Sequence, residues 1–175
     1  MSEQELAFSG WDKNLDLKNT KQVLQEHLTV RDKRKKAFFA ILLVQLLNGS
    51  RVGEAVLAMR QWAEDGKKEQ RVRVEKRKDK FMRLMIIPKE VRKSKQLKEW
   101  ILNSEYMDLT DAVIQFSRRH LNWNTHALRY AFISDMSEDT QPQVIAKLTG
   151  QKSLDMILRY TSTRKGEQKL RERIE

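Results

Sequence analysis

The stretch on which the fold turns is Asp32-Lys-Arg-Lys-Lys-Ala-Phe38-Phe-Ala-Ile41-Leu-Leu-Val44-Gln-Leu46-Leu47-Asn48-Gly49-Ser50-Arg51-Val52-Gly53-Glu54. From Ala37 to Leu47 only Gln45 is polar, so a helix here is apolar nearly all round and must be enclosed by other elements. Asp32 suits its N-cap and Gly49 its C-cap, which sets the length of a central core helix. The chain then turns sharply and presents Arg51, with Glu54 one helical turn on. Glu54 either buttresses Arg51 through a charge-assisted hydrogen bond or is a solvated surface carboxylate.

Upstream, residues 1–18 are polar, with Phe8 and Trp11 scattered among them, and are expected to be an arm or linker. Val23, Leu24 and Leu28 predict a short amphipathic helix from Asn19. Downstream of Trp62 two alternating stretches, Gln70 to Lys76 and Phe81 to Ile87, flank Arg77-Lys-Asp-Lys80 and predict a β-hairpin with a charged turn. Pro88 ends the hairpin and opens a helix through Val91, Leu97, Trp100 and Ile101. A helix from about Thr110 to Leu121 follows, and then one with Thr125 as N-cap that carries His126, Leu128, Arg129, Ala131, Phe132 and Ile133. After a polar loop, Pro142 starts a helix closed by Gly150. Ser153 caps a further helix that carries Tyr160, and residues 164–175 are charged and helix-prone. The fold class expected is mainly α with a small antiparallel β-hairpin (α+β), in one domain over residues 19–175.

Lys and Arg number 35 against 24 Asp and Glu, a net charge of +11. Between Arg60 and Glu99 there are 15 cations and 7 anions, so most of the excess sits in and around the hairpin. A concentrated excess of this size favours a polyanionic partner, most often nucleic acid. No apolar run approaches the roughly 18 to 20 residues of a membrane span, and the first ten residues lack a signal-peptide pattern. An intracellular, cytoplasmic setting without a membrane is therefore expected. The absence of cysteine excludes disulfides and thiolate metal sites. His27, His120 and His126 show no paired ligand spacing, so no metal is expected.

His126 and Arg129, three residues apart on a helix, project from one face and can hold one small anion together. Arg51 on its glycine-bounded turn supplies a second guanidinium. Phosphodiester cleavage loads further negative charge onto an anion, so it needs fixed positive donors, and a guanidinium is planar, always charged and able to grip two oxygens. Two arginines, a histidine and a late tyrosine are the parts needed to hold a phosphodiester and attack it. Over residues 30–163, with Asn124-Thr-His126-Ala-Leu-Arg129-Tyr130, Leu148-Thr-Gly150-Gln151 and Arg159-Tyr160-Thr161, the chain resembles the catalytic domain of the tyrosine recombinases, the phage integrase family.

That resemblance implies roles. Arg51 and Arg129 match the family arginines that hold the non-bridging oxygens, and Tyr160 matches the nucleophile that forms a reversible phosphate ester. His126 matches the residue that assists the tyrosine, whose ordinary pKa of about 10 keeps it protonated at neutral pH. A hairpin lysine returns a proton to the leaving 5′-oxygen. Lys76 is favoured for this, with Lys78 as the alternative. Gln151 stands nine residues before Tyr160, where His or Trp is usual, and can donate a hydrogen bond but carry no proton. Arg71, Arg73, Lys78, Lys80 and Arg83 are expected to contact DNA. No cofactor is implied. The implied partner is double-stranded DNA, with four copies assembled on it and residues 164–175 exchanged between protomers. Family members usually carry a further DNA-binding domain before the catalytic one. The implied setting is integration of a virus or plasmid genome, an archaeal one included, with chromosome dimer resolution as the alternative. A type IB topoisomerase-like strand transferase and a catalytically silent DNA-binding module are rival readings, the latter kept open by Gln151.

Overall fold

The computed structural model describes residues 15–104, 109–155, 157–158 and 170–174. It consists of helices α1 (Leu17–Glu26), α2 (Lys33–Asn48) and α3 (Val52–Asp65), strands β1 (Glu69–Arg73) and β2 (Met82–Ile86), and then helices α4 (Lys89–Arg92), α5 (Lys95–Leu102), α6 (Leu109–Phe116), α7 (Thr125–Met136) and α8 (Pro142–Thr149). The architecture is the expected one, mainly helical with one two-stranded antiparallel sheet.

Helix α2 is the centre. Every residue from Ala37 to Leu46 is buried, and α1, α3, α5, α6 and α7 pack around it. Asp32 caps it by accepting from Lys35 N–H at 2.9 Å, and Gly49 ends it with φ +55°. Left-handed backbone there suits glycine on conformation alone. Packing adds a second reason, because an added Cβ would fall 2.2 Å from Phe132 Cδ1. Phe38 and Phe39 meet Phe116 edge-on at 5.2 and 5.0 Å between ring centres, which locks α6 onto α2. Among the described residues no single helix is long and apolar enough to cross a membrane. The pair α2 and α3 reaches that length and composition only together, across a bend of 112°.

Several boundaries differ from expectation, each for a local reason. Helix α1 starts at Leu17 because Asp16 supplies its cap, accepting from Asn19 N–H at 3.4 Å. The helix expected after Pro88 is broken in two, since Ser94 Oγ caps Leu97 N–H at 3.3 Å and starts α5 afresh. Helix α6 passes into a wider π turn over Ser117–Leu121 that ends at Asn122 with φ +53°. Asn124, rather than Thr125, caps α7, with Oδ1 accepting from His126 N–H at 3.1 Å. Thr125 is buried instead, its carbonyl accepting from Gln45 Nε2 at 2.8 Å.

The hairpin docks on the end of α2 through Asn48. Its Nδ2 donates to Ile86 O at 3.0 Å and its Oδ1 accepts from Ile86 N–H at 2.8 Å, so one amide pairs with the strand as a neighbouring strand would. Helix α8 closes against the hairpin from the other side, and Gly150, at φ +69°, lets Val74 approach. An added Cβ there would fall 2.5 Å from Val74 Cγ2.

Candidate active site

Two helices end and a third begins at one point. The last carbonyls of α2 and α8 lack helical partners, as at any helix C-terminus, and carry the negative end of the helix dipole. Arg129, from α7, bridges them: Nη1 donates to Gly49 O at 2.9 Å and Nη2 to Thr149 O at 3.1 Å. Arg83, from β2, covers the same carbonyls. Its Nη1 lies 3.4 Å from Gly49 O and 3.3 Å from Thr149 O, and its Nη2 donates to Asn48 O. Both guanidiniums are buried, with Arg129 4% and Arg83 3% exposed. Burial, and next the nearby charge of Arg51, push the Arg129 pKa down to about 10, which still leaves it charged at neutral pH.

The buried carboxylate of Glu54 organises the cations. Its Oε1 accepts from Arg51 Nη1 at 3.0 Å and Glu75 N–H at 3.2 Å. Its Oε2 accepts from Arg51 N–H at 3.3 Å and Arg83 Nη1 at 3.2 Å. A carboxylate has about four lone-pair sites, so Glu54 is saturated. The buttressing role expected for it as one alternative is the one observed. Arg51 caps α3 and also donates Nη1 to Glu75 O at 3.2 Å, tying the start of the hairpin turn to the helix.

His126 is half-buried at the first turn of α7, and its pKa is lowered, by desolvation first and then by the charges of Arg129, Arg51 and Lys76. It therefore rests as the neutral imidazole at neutral pH, able to accept a proton. Arg51, Lys76, His126 and Arg129, expected as site residues from positions far apart in sequence, lie close enough for each of the three cations to act on the imidazole. Lys76 is exposed, with φ +62°, at the mouth of the hairpin turn. Gln151 follows Gly150 directly. Its N–H donates to Ala146 O at 2.9 Å, and its side-chain Oε1 is buried without a donor. Tyr160 lies outside the described residues.

Arg71 and Arg73 are exposed on the outer face of β1, and Lys78 and Lys80 are exposed in the turn. Within the turn Arg77 pairs with Asp79 and lies 4.3 Å from the Phe81 ring centre, which fixes its shape. That pairing holds the Asp79 carboxyl down at about 2. Arg83, expected beside the DNA-facing cations, points the other way. It pairs with Val72 in the β register, so it shares the inward face with Val72 and Met85 rather than the outward face of Arg71 and Arg73. Strand parity carried that signal, but the basic run around Arg83 masked it. Glu75 and Asn48 are further parts of the site that the residue pattern left unnoticed.

Comparison with known proteins gives three relatives. The chain is 36% identical over 166 residues to a protein named "Putative integrase ORF241" from Acidianus two-tailed virus, covering 92% of this chain and 68% of the relative. It is 30% identical over 200 residues to the uncharacterized protein MJ0770 of Methanocaldococcus jannaschii, covering 93% and 89%. It is 27% identical over 195 residues to "Putative integrase V10" of Sputnik virophage, covering 89% and 86%. No family model and no solved structure matches the chain.

Proposed function

Since the chain belongs to the same family as the integrase-named protein of Acidianus two-tailed virus, we propose that it is a DNA integrase of the tyrosine recombinase type. The observation that carries this reading is the convergence of Arg51, Arg129 and Lys76 on His126, with Arg51 braced by the buried Glu54. Such a set matches what phosphoryl transfer asks for: cations fixed before the substrate arrives, so that developing charge is met without reorganisation.

In the proposed reaction Arg51 and Arg129 hold the non-bridging oxygens of one DNA phosphate. The Tyr160 oxygen attacks phosphorus, so the bond from phosphorus to tyrosine oxygen forms as the bond to the 5′-oxygen breaks. His126 takes the phenolic proton and Lys76 gives one to the departing 5′-oxygen, which leaves as a hydroxyl. The 3′-phosphotyrosyl ester conserves the bond energy, and a 5′-hydroxyl from a partner strand reverses the step. Gln151 donates to a non-bridging oxygen. Arg71, Arg73, Lys78 and Lys80 supply sequence-independent contacts to the DNA backbone. Arg83 acts from inside, by holding Glu54 and the two helix ends.

Assembly of four copies on DNA completes the proposal. Residues 170–174 are helical, with Leu170 59% and Ile174 76% exposed one turn apart, an apolar edge suited to docking on a neighbouring protomer. Trapping on a nicked suicide duplex tests the chemistry: the wild-type chain gives a covalent adduct mapping to Tyr160, and Tyr160→Phe binds DNA without forming one. An adduct at Tyr130 or Tyr106, or none from the wild type, overturns the reading.

A further inference from the structure

Gly53 is the second residue of α3, and its backbone is ordinary helix, so conformation does not call for glycine there. What the missing side chain leaves is open space beside the first turn, filled by the end of the Glu75 side chain. An added Cβ would fall 1.8 Å from Glu75 Oε1 and 3.0 Å from Glu75 Cδ, so the Glu75 carboxylate lies across the first turn of α3. The main chain of Glu75 is held there at both ends, its N–H donating to Glu54 Oε1 at 3.2 Å and its carbonyl accepting from Arg51 Nη1 at 3.2 Å.

The carboxylate therefore rests where the chain has gathered its cations. It lies beside the positive end of a 14-residue helix and feels the charges of Arg51 and Lys76 and of Arg129 from α7. Its other charged neighbour is Glu54, which repels it and whose lone pairs are already taken. Desolvation first, and Glu54 second, raise its pKa. Arg51, Arg83, Arg129 and Lys76 outnumber Glu54 and Glu75 by two charges, which leaves the locus short of negative charge even with Glu75 in place.

We propose that Glu75 is a resident anion: in the free protein its carboxylate occupies the seat over Gly53 that a phosphate of the DNA takes between Arg51 and Arg129, and substrate displaces it. This rests on the reading above that the locus holds a phosphodiester. Glu75 would then set a threshold, so that a phosphate enters only when the rest of the duplex is engaged strongly enough to pull the hairpin turn aside.

The test compares affinities for one short duplex at fixed salt. Glu75→Gln removes the anion, and Glu69→Gln removes an exposed charge from β1 of the same hairpin. Glu75→Asp keeps the charge but shortens its reach to Gly53. Glu75→Gln is expected to bind about tenfold tighter than wild type, and Glu75→Asp to move in the same direction, with Glu69→Gln changing far less. Inorganic phosphate, titrated by calorimetry, should likewise bind Glu75→Gln more tightly. Since the Glu75 main chain makes the holding bonds, thermal melts of all three variants should match wild type. Equal effects of Glu75→Gln and Glu69→Gln, with wild-type cleavage intact, sink the inference and leave the integrase reading standing. Failure of the wild type itself to form the DNA adduct sinks both.

Discussion

Arg83 Nη1 stands 3.2 Å from Glu54 Oε2 with both side chains buried, across 29 residues of sequence. This pair joins the hairpin to the turn between α2 and α3, and Arg51 completes it from the solvent side at 3.0 Å from Oε1. Desolvation, partly offset by Glu54, lowers the Arg83 pKa. Removing one partner of such a pair strands the other. Glu54→Ala is expected to cost about 3–5 kcal/mol in urea unfolding, the usual penalty for an uncompensated buried charge. Arg83→Met, which leaves Glu54 still bound by Arg51, should cost less. Equal losses would mean that Arg51 does not sustain Glu54 alone.

The salt dependence of DNA binding separates the inward arginine from the outward cations. Replacing Arg71, Arg73 and Lys78 together should flatten the slope of log affinity against log salt by about 0.9 for each DNA phosphate left without its cation. Arg83→Gln should lower the melting temperature instead. A slope unmoved by the triple replacement would show that the outer face of the hairpin meets solvent in the complex.

The lowered pKa of His126 fixes a direction in pH. Its folded value lies below the ordinary 6.5, so as pH falls through 6.5 the unfolded chain takes up a proton that the folded chain refuses, and stability is lost. Single-turnover cleavage should stay level near neutrality and fall only below the ordinary histidine value, as the proton acceptor is consumed. His126→Gln should remove that acid limb and slow the reaction throughout. A limb that survives the substitution belongs to another group.

Gln151 should contribute modestly. Loss of one hydrogen bond is worth about 0.5–1.5 kcal/mol, so Gln151→Ala should be slower by roughly tenfold in single-turnover cleavage. Gln151→His should be near wild type or better. A dead Gln151→His that still melts like wild type would mean the position is built around the amide.

Gly150→Ala should destabilise by at least about 1–2 kcal/mol, from left-handed backbone on a residue with a Cβ, and further from the clash with Val74. The seam between α8 and the hairpin opens first, which hydrogen exchange of Val74 N–H, bonded to Phe81 O at 2.9 Å, would detect. An unchanged rate there would show that the seam can relax around a methyl group.

Elements with strong local signals were legible. The apolar run in α2, its Asp32 and Gly49 ends, the alternating hairpin and the Pro142 and Gly150 bounds of α8 all appear close to where the pattern put them. What escaped was decided by neighbours. Ser94 splits a helix through one hydroxyl, and Asn124 takes the cap while Thr125 is buried with its carbonyl accepting from Gln45. In the site, Arg51, Arg129 and His126 were legible as a set because their types and spacing are informative in one dimension. Arg83 looked like one cation among many in a basic run. Only the register opposite Val72 and the carbonyls waiting at two helix ends distinguish it. Glu75 gave no signal at all, since a carboxylate among lysines reads as charge balance until Gly53 shows what it covers.

Besides the Glu54 carboxylate that holds Arg83, the acceptors of Arg129 and Arg83 are the main-chain oxygens of Asn48, Gly49 and Thr149. A carbonyl belongs to every residue, so substitution at those three positions cannot delete the acceptor, only shift it. This share of the grip on the two guanidiniums is thus encoded in where two helices stop, and Glu54 adds a side-chain share for Arg83 alone. These acceptors survive substitution so long as the helices keep their lengths, while Gly49, the Asn48 amide and Glu54 are each constrained by contacts of their own. An insertion of a single residue into α2 or α8, harmless to composition and charge, would rotate carbonyls away from both arginines at once and leave Arg83 leaning on Glu54.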